Sequence, residues 1–170
     1  MTGDALPRPC ILVDADACPV KDEIYKVARR HAVAVRVVAN QMIRVPPDPD
    51  FARVIVGDGF DAADDWIAER AEATSIVITS DILLAERCVK SGAVVMGPDG
   101  RPFDRARIGG AVAMRALMAD LRAMGSVTGG PAPFSARDRS AFLQALDGAV
   151  VNLKRQSRAA PSTAPTPPSA

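Results

Sequence analysis

The chain has 170 residues, 48% of them hydrophobic, with 21 basic and 20 acidic side chains and a formal net charge of +1. That describes one globular domain, large enough to bury roughly two-thirds of its unfolded surface, with no overall charge to announce a polyanionic partner. No apolar stretch approaches the roughly 20 residues of a membrane span, and "MTGDALPRPCILVDAD" sets an acid and prolines ahead of a short apolar run, unlike a secretory signal.

In chain order, short β-branched runs alternate with amphipathic stretches, the pattern of βα units around a parallel sheet. The strand candidates are 10–13, 33–39, 53–56, 75–79 and 93–96. Runs such as "ILV", "VIV" and "IVIT" are nearly continuous in apolar residues, which suits strands covered on both faces. Residues 19–31 carry Val20, Ile24, Val27, Ala28 and His31 on one helical face. "DAADDWIAERAEA" and "SDILLAERCVKSG" read as the next two helices, the second stopped by Gly92. "PDGRPF" signals a turn or small hairpin.

Two longer helices follow. Residues 105–124 have a seam through Gly110, Met114, Leu117, Leu121 and Met124. Ser135 and Asp138 resemble a capping box ahead of a seam through Phe142, Leu143, Leu146, Ala149, Val150 and Leu153. The Gly/Pro-rich "GSVTGGPAPFS" between them reads as irregular, and the Pro/Ala/Ser-rich residues 156–170 as a disordered tail. The expected fold is α/β: a three-layer sandwich with a mostly parallel central sheet plus two C-terminal helices, one domain over 1–155.

In an open α/β sheet, ligands bind beyond the carboxyl ends of the strands. After the first strand candidate stand Asp14 and Asp16; after the second, Asn40, Gln41 and Arg44. After the third stand Asp58, Asp61 and Asp64; after the fourth, Thr79, Ser80 and Asp81. Carboxylates crowded at one sheet edge raise one another's pKa unless a cation neutralises them. All-oxygen donors suit Mg²⁺ or Mn²⁺, and such an ion activates water against a phosphodiester.

Structural explanations compete with this one. Asp61 with Asp64 fits a helix N-cap followed by an acid in the first turn, Ser80–Asp81 opens a helix as well, and Asp16 is placed to cap the helix near Pro19. Asp14, directly after "ILV", is the hardest to explain as a cap. His31, the only histidine, reads as a core residue with its polar needs met, which disfavours Ser–His–Asp chemistry and multi-histidine metal sites. Cys10, Cys18 and Cys88 are widely spaced, with no CxxC, as in a reducing cytoplasm. Cys18 at a helix start has no partner for thiol catalysis. Thr128, Gly129 and Gly130 offer N–H groups to a phosphate; Arg44, Arg137 and Arg139 offer charge, with Arg44 ranked first.

Five motifs in order, "VDADACPV", "VANQMIRVPP", "GFDAADDWI", "VITSDILLA" and "TGGPAPFSARDR", resemble the YaiI/YqxD family of bacterial proteins from about Ile11 to Val150. That family has been grouped with PIN-like domains, whose metal-dependent nucleases carry acids at the carboxyl ends of parallel strands. The resemblance implies that Asp14 and Asp81 match the acids after the first and fourth strands, and that Asp64, or Asp61, takes the middle place. Here that place holds aspartate where PIN nucleases commonly have glutamate.

The expectation is therefore a divalent-metal-dependent nuclease acting on RNA, with Asp14, Asp64 and Asp81 catalytic. Those three, with Asp16 and Asp61, would hold Mg²⁺ or Mn²⁺ directly or through water. Asn40, Gln41, Arg44, Ser80, Thr128, Gly129, Gly130, Arg137 and Arg139 would contact substrate. One alternative is a non-catalytic RNA- or metal-binding regulator of the same fold. Another is a haloacid-dehalogenase-like phosphatase with Asp14 as nucleophile and Lys90 as its lysine; its acidic pair comes too early in the chain.

Overall fold

The apolar run Cys10–Asp14 forms β1, buried along its whole length. A single 3-10 turn at Ala15–Ala17 leads to α1, Lys21–His31. β2 follows at Ala34–Ala39 and β3 at Phe51–Ile55, then α2 at Ala62–Arg70. β4 is Ser75–Ile78, α3 Ile82–Lys90 and β5 Val94–Met96. The chain closes with α4, Arg105–Ala123, and α5, Ala136–Ala159. This computed structural model describes residues 6–123 and 134–159. Thr128, Gly129 and Gly130 lie outside the described residues, as does the tail from residue 160; α5 runs through residues 156–159, past the expected end of the domain.

All five strands are parallel, in the order β3-β2-β1-β4-β5. The chain builds outward from β1 to β3, then crosses back to β4 and β5, so strand order reverses between β1 and β4. A crevice opens at such a reversal, because the connections leave in opposite directions.

Alternation along the strands divides the core between the two faces. Ile11, Val13, Val35, Val37, Ile76 and Ile78 pack towards α1 and α5, with Ile24, Val27, Phe142, Leu146 and Val150. Cys10, Leu12, Val38, Val77 and Val95 pack towards α2 and α3, with Ile67, Leu84, Ala85 and Cys88. The parity that points Cys10 and Leu12 at α2 and α3 continues to Asp14.

Three local expectations change. β3 begins at Phe51 and is an edge strand, so Arg53 and Ile55 are exposed rather than covered. The seam on α4 is not buried: Ile108 is in the core, but Gly110, Met114 and Leu117 face solvent, and Leu121 and Met124 carry no described side chains. Asp16 caps nothing on α1, whose N-cap residue is Val20.

The capping box on α5 forms as expected. Asp138 N–H donates to Ser135 Oγ at 3.1 Å, and Asp138 Oδ2 accepts from Ser135 N–H at 2.9 Å. "PDGRPF" makes the small hairpin, with an antiparallel bridge between Met96 and Pro102. His31 Nε2 lies 2.8 Å from Asp147 Oδ1, joining α1 to α5. All three cysteines are free and buried. Among the described residues no helix is long and apolar enough to cross a membrane.

Candidate functional site

At the carboxyl ends of β1 and β4 a cleft of about 450 Å³ opens on the α2–α3 side of the sheet. Five aspartates line it: Asp14, Asp16, Asp61, Asp64 and Asp81, together with Asn40 and Ser80. They are widely spread in the chain, and the switch point assembles them. Asp14 is the last residue of β1, Asp16 belongs to the 3-10 turn, and Asn40 follows β2. Asp61 and Asp64 lie at and within the first turn of α2, and Ser80–Asp81 join β4 to α3.

Asp14 is 8% exposed. Its Oδ2 accepts a hydrogen bond from the Thr79 hydroxyl at 3.0 Å, and Thr79 Oγ1 in turn accepts from Asp81 N–H at 3.0 Å. Burial pushes the Asp14 carboxyl above the ordinary carboxylate range. Hydrogen bonds from Thr79 and the Asp16 backbone oppose the shift, while the charges of Asp16 and Asp81 add to it.

Asp64 is lifted to about 6, first by burial and then by the charges of Asp81, Asp14 and Asp61, with Arg87 opposing. Arg87 itself is engaged by Asp65, at 2.8 Å. Three separate carboxylates therefore act on Asp64. Like charges gathered this closely are relieved by a bound proton or by a cation.

The capping explanations separate the acids. Asp81 is a working cap: its Oδ1 accepts from Leu83 N–H at 2.8 Å and Leu84 N–H at 3.3 Å. Asp61 occupies the N-cap position of α2, but its side chain makes no cap bond and its φ is 62°. Only a few per cent of non-glycine residues adopt this left-handed backbone. Asp16 has no cap role either, so Asp61 and Asp16 present carboxylates to the cleft without a helix-capping reason.

Among the described residues no group of three Asp, Glu, His or Cys side chains can by itself hold a metal ion. Direct chelation of one ion by Asp14, Asp64 and Asp81 is therefore not how these side chains stand. The donor set fits a hydrated cation instead. Mg²⁺ keeps several waters and uses one or two carboxylates plus substrate phosphate oxygens, rather than a dry protein cage. Asp14 accepts from both the Thr79 hydroxyl and the Asp16 backbone N–H, whereas both cap bonds of Asp81 fall on Oδ1, which leaves its Oδ2 outside the α3 cap.

The remaining expected contacts divide. Gln41 and Arg44 are exposed in the loop after β2 and do not line the cleft, nor does Asp58. Arg139 is tied to the start of α1, donating to Pro19 O at 2.7 Å and pairing with Glu23 at 3.5 Å. Exposed Arg137 shares its helix, and α5 packs on the opposite face of the sheet. Neither arginine is brought to the carboxylates. Lys90 pairs with Glu86 at 3.2 Å at the far end of α3. That helix extends roughly 12 Å from its first to last residue at about 1.5 Å per residue, so Lys90 is not placed for the phosphatase role. Burial raises the Cys18 thiol pKa, the opposite of what nucleophilic chemistry needs.

Thr79 is absent from the expected site residues. Its signal in the sequence is parity: it shares alternation with Ser75 and Val77, hence a sheet face with Asp14.

Comparison with known proteins gives a family. The family described as "Uncharacterized BCR, YaiI/YqxD family" matches residues 12–152. The chain is 64% identical over 151 residues to a "UPF0178 protein" of Sphingopyxis alaskensis, covering 88% of this chain and 98% of that one. It is 61% identical over 150 residues to a "UPF0178 protein" of Rhodopseudomonas palustris strain BisB18, covering 88% and 97% respectively. A "UPF0178 protein" of Nitrobacter winogradskyi is 61% identical over 145 residues, covering 85% of this chain and 92% of that one. No solved structure matches the chain.

Proposed function

This chain belongs to the YaiI/YqxD family, and we propose that it is a divalent-metal-dependent nuclease that hydrolyses phosphodiester bonds of RNA. The observation that carries the reading is the gathering of Asp14, Asp16, Asp61, Asp64 and Asp81 in one open cleft at the switch point of a parallel sheet. A bound, hydrated Mg²⁺ or Mn²⁺ supplies Lewis-acid polarisation of the phosphoryl group and a water of lowered pKa.

The chain's own residues do the rest. Asp14, fixed by Thr79, and Asp81, fixed by the α3 cap, would hold such a cation by way of its waters. Asp64 lines the same cleft, with burial and the neighbouring acids holding its carboxyl above the ordinary range, and is the group assigned to accept a proton from the attacking water. Oxygen bonds to phosphorus, the P–O ester bond breaks, and solvent protonates the departing oxygen. Asp16, Asp61, Asn40 and Ser80, which line the same cleft, would orient waters around the cation.

The lack of a three-carboxylate ligand group among the described residues favours a second reading, a regulator that binds RNA or metal without cleaving. End-labelled single-stranded RNA incubated with millimolar Mn²⁺ separates the two. A nuclease cuts it, loses activity in EDTA, and slows by about 100-fold or more in Asp14→Asn. Equal cleavage in EDTA or in Asp14→Asn, or none with any divalent ion, overturns the proposal.

A further inference from the structure

The two C-terminal helices both carry apolar seams in the sequence, and the fold spends only one of them. On α5, Phe142, Leu146, Val150 and Leu153 are buried. On α4, Ile108 is buried, and Ile108 and Val112 line a groove with Val89 of α3. At about 100° per residue, the α4 seam through Gly110, Met114 and Leu117 lies roughly 160° round the helix from that side. Met114 is 56% exposed and Leu117 51%.

Three observations separate this face from scattered surface apolarity. Its spacing alternates four and three residues, from Gly110 through Met114 and Leu117 to Leu121, the repeat by which helices pack side by side. From Gly110 onward the stripe is uncharged, because Arg115, Asp120 and Arg122 fall outside it at that periodicity. Gly109 and Gly110 also stand within a 19-residue helix, where glycine is disfavoured relative to alanine. A Cβ at either would meet nothing within 4 Å, so no contact inside the chain accounts for them. Close approach of a second backbone does.

We infer that α4 is a pairing surface whose occupant is the α4 of a second copy of this chain, laid antiparallel about a two-fold axis. The spacing asks for a helix with a matching seam, and among the described helices α4 leaves such a seam uncovered. A two-fold interface sets a patch against its own copy, and an uncharged patch does so with no like charges opposed. In the antiparallel register Met114 faces Leu117 of the second copy, and Gly110 faces position 121, a small residue against a large one.

From Gly110 to its last residue the helix is about 20 Å long, and half its girth over that length is roughly 400 Å² per copy. A standard stable interface takes about 800 Å² from each partner. The α4 pair is therefore a dissociable dimer, with Kd on the order of 1–100 µM. No α4 residue lines the carboxylate cleft, so the inference stands apart from the nuclease reading.

The test is sedimentation velocity on the full chain from about 1 to 500 µM, a range that brackets this Kd. The parent protein passes from monomer to dimer. Leu117→Glu sets a charge in the apolar seam of both copies and weakens the dimer about 100-fold or more, as does Met114→Lys. Both side chains are more than half exposed, so each variant melts like the parent in dilute solution. Mixing the two variants restores the dimer, because the antiparallel register brings their opposite charges face to face. Gly110→Ala favours the helix in the monomer yet weakens the dimer about 5- to 150-fold by overpacking.

A monomer at every concentration, a dimer unmoved by Leu117→Glu, or no recovery on mixing overturns the inference. So does a dimer that Gly110→Ala leaves as tight as the parent's or tightens. Co-sedimentation of dilute, monomeric protein with phosphatidylglycerol vesicles, abolished by Leu117→Glu, overturns it as well, since a lipid surface would then be the occupant.

Discussion

The Thr79 hydroxyl joins the two strand ends that form the cleft, donating to Asp14 Oδ2 at 3.0 Å while it accepts the Asp81 backbone N–H at 3.0 Å. One side chain thereby orients a buried carboxylate and fixes the start of α3. Thr79→Val keeps the shape and removes both bonds. Because Asp14 is buried, an acceptor left without its donor costs about 1–3 kcal/mol, readable by urea denaturation. Asp14 also loses a hydrogen bond that holds its pKa down, so Mn²⁺ affinity near neutral pH falls about 10- to 100-fold. Thr79→Ser retains both bonds and recovers most of each loss. If Thr79→Val binds Mn²⁺ like the parent, Asp14 is not a cation ligand.

Asp64 predicts the pH dependence. In the folded protein it holds its proton up to about 6, above the ordinary 3.8 of an unfolded chain. Between those values the native state carries more bound protons than the unfolded state, so stability falls as pH rises through the window. Asp64→Asn removes that penalty. With the cleft open to water, screening limits the gain to about 1 kcal/mol above pH 7, vanishing below about pH 4. Melting curves across pH with no added metal measure it. With Mn²⁺ the order reverses: the cation binds ionised carboxylates, so it stabilises the parent protein above about pH 6 and stabilises Asp64→Asn less.

Asp81 has two functions that substitution can separate. Its Oδ1 caps α3, and asparagine caps as well as aspartate. Asp81→Asn is therefore expected to melt like the parent while losing Mn²⁺-dependent cleavage. Asp81→Ala loses the cap too, at about 1 kcal/mol. Equal activity in Asp81→Asn and the parent would reduce Asp81 to a structural cap.

The strands are legible in the sequence because β1, β2 and β4 sit inside the sheet and need apolar residues on both faces. β3 is less so: as an edge strand it needs cover on one face only, and Arg53 and Ile55 are left outside. The carboxylates are legible as strand-end residues, but their meeting depends on strand order, which no local pattern encodes. Arg139 misleads for the same reason, since its partners Pro19 and Glu23 lie more than a hundred residues away and claim it for the α1–α5 contact. Asp61 looks like a cap by spacing and fails as one through its backbone angle, which composition does not reveal. Phe60 carries no periodic signal. Only the fold shows that this loop aromatic is exposed, next in sequence to Gly59 and Asp61 of the cleft.

Two glycines with similar backbone angles separate conformational strain from crowding. Gly92 ends α3 at φ 84°, and a Cβ there would meet nothing closer than 3.9 Å. Gly100, at φ 79°, turns the hairpin after β5 against α5. A Cβ there would lie 3.0 Å from Ala145 Cβ, 3.1 Å from Phe142 Cα and 3.3 Å from Ala141 O. Gly92→Ala bears only the left-handed penalty, about 1 kcal/mol. Gly100→Ala adds a clash with helix backbone that cannot yield without shifting Phe142, a fully buried core residue. It is expected to lose about 2–3 kcal/mol in all, so its urea midpoint falls clearly below that of Gly92→Ala. Equal midpoints would mean that the hairpin is not seated on α5 as closely as its packing indicates.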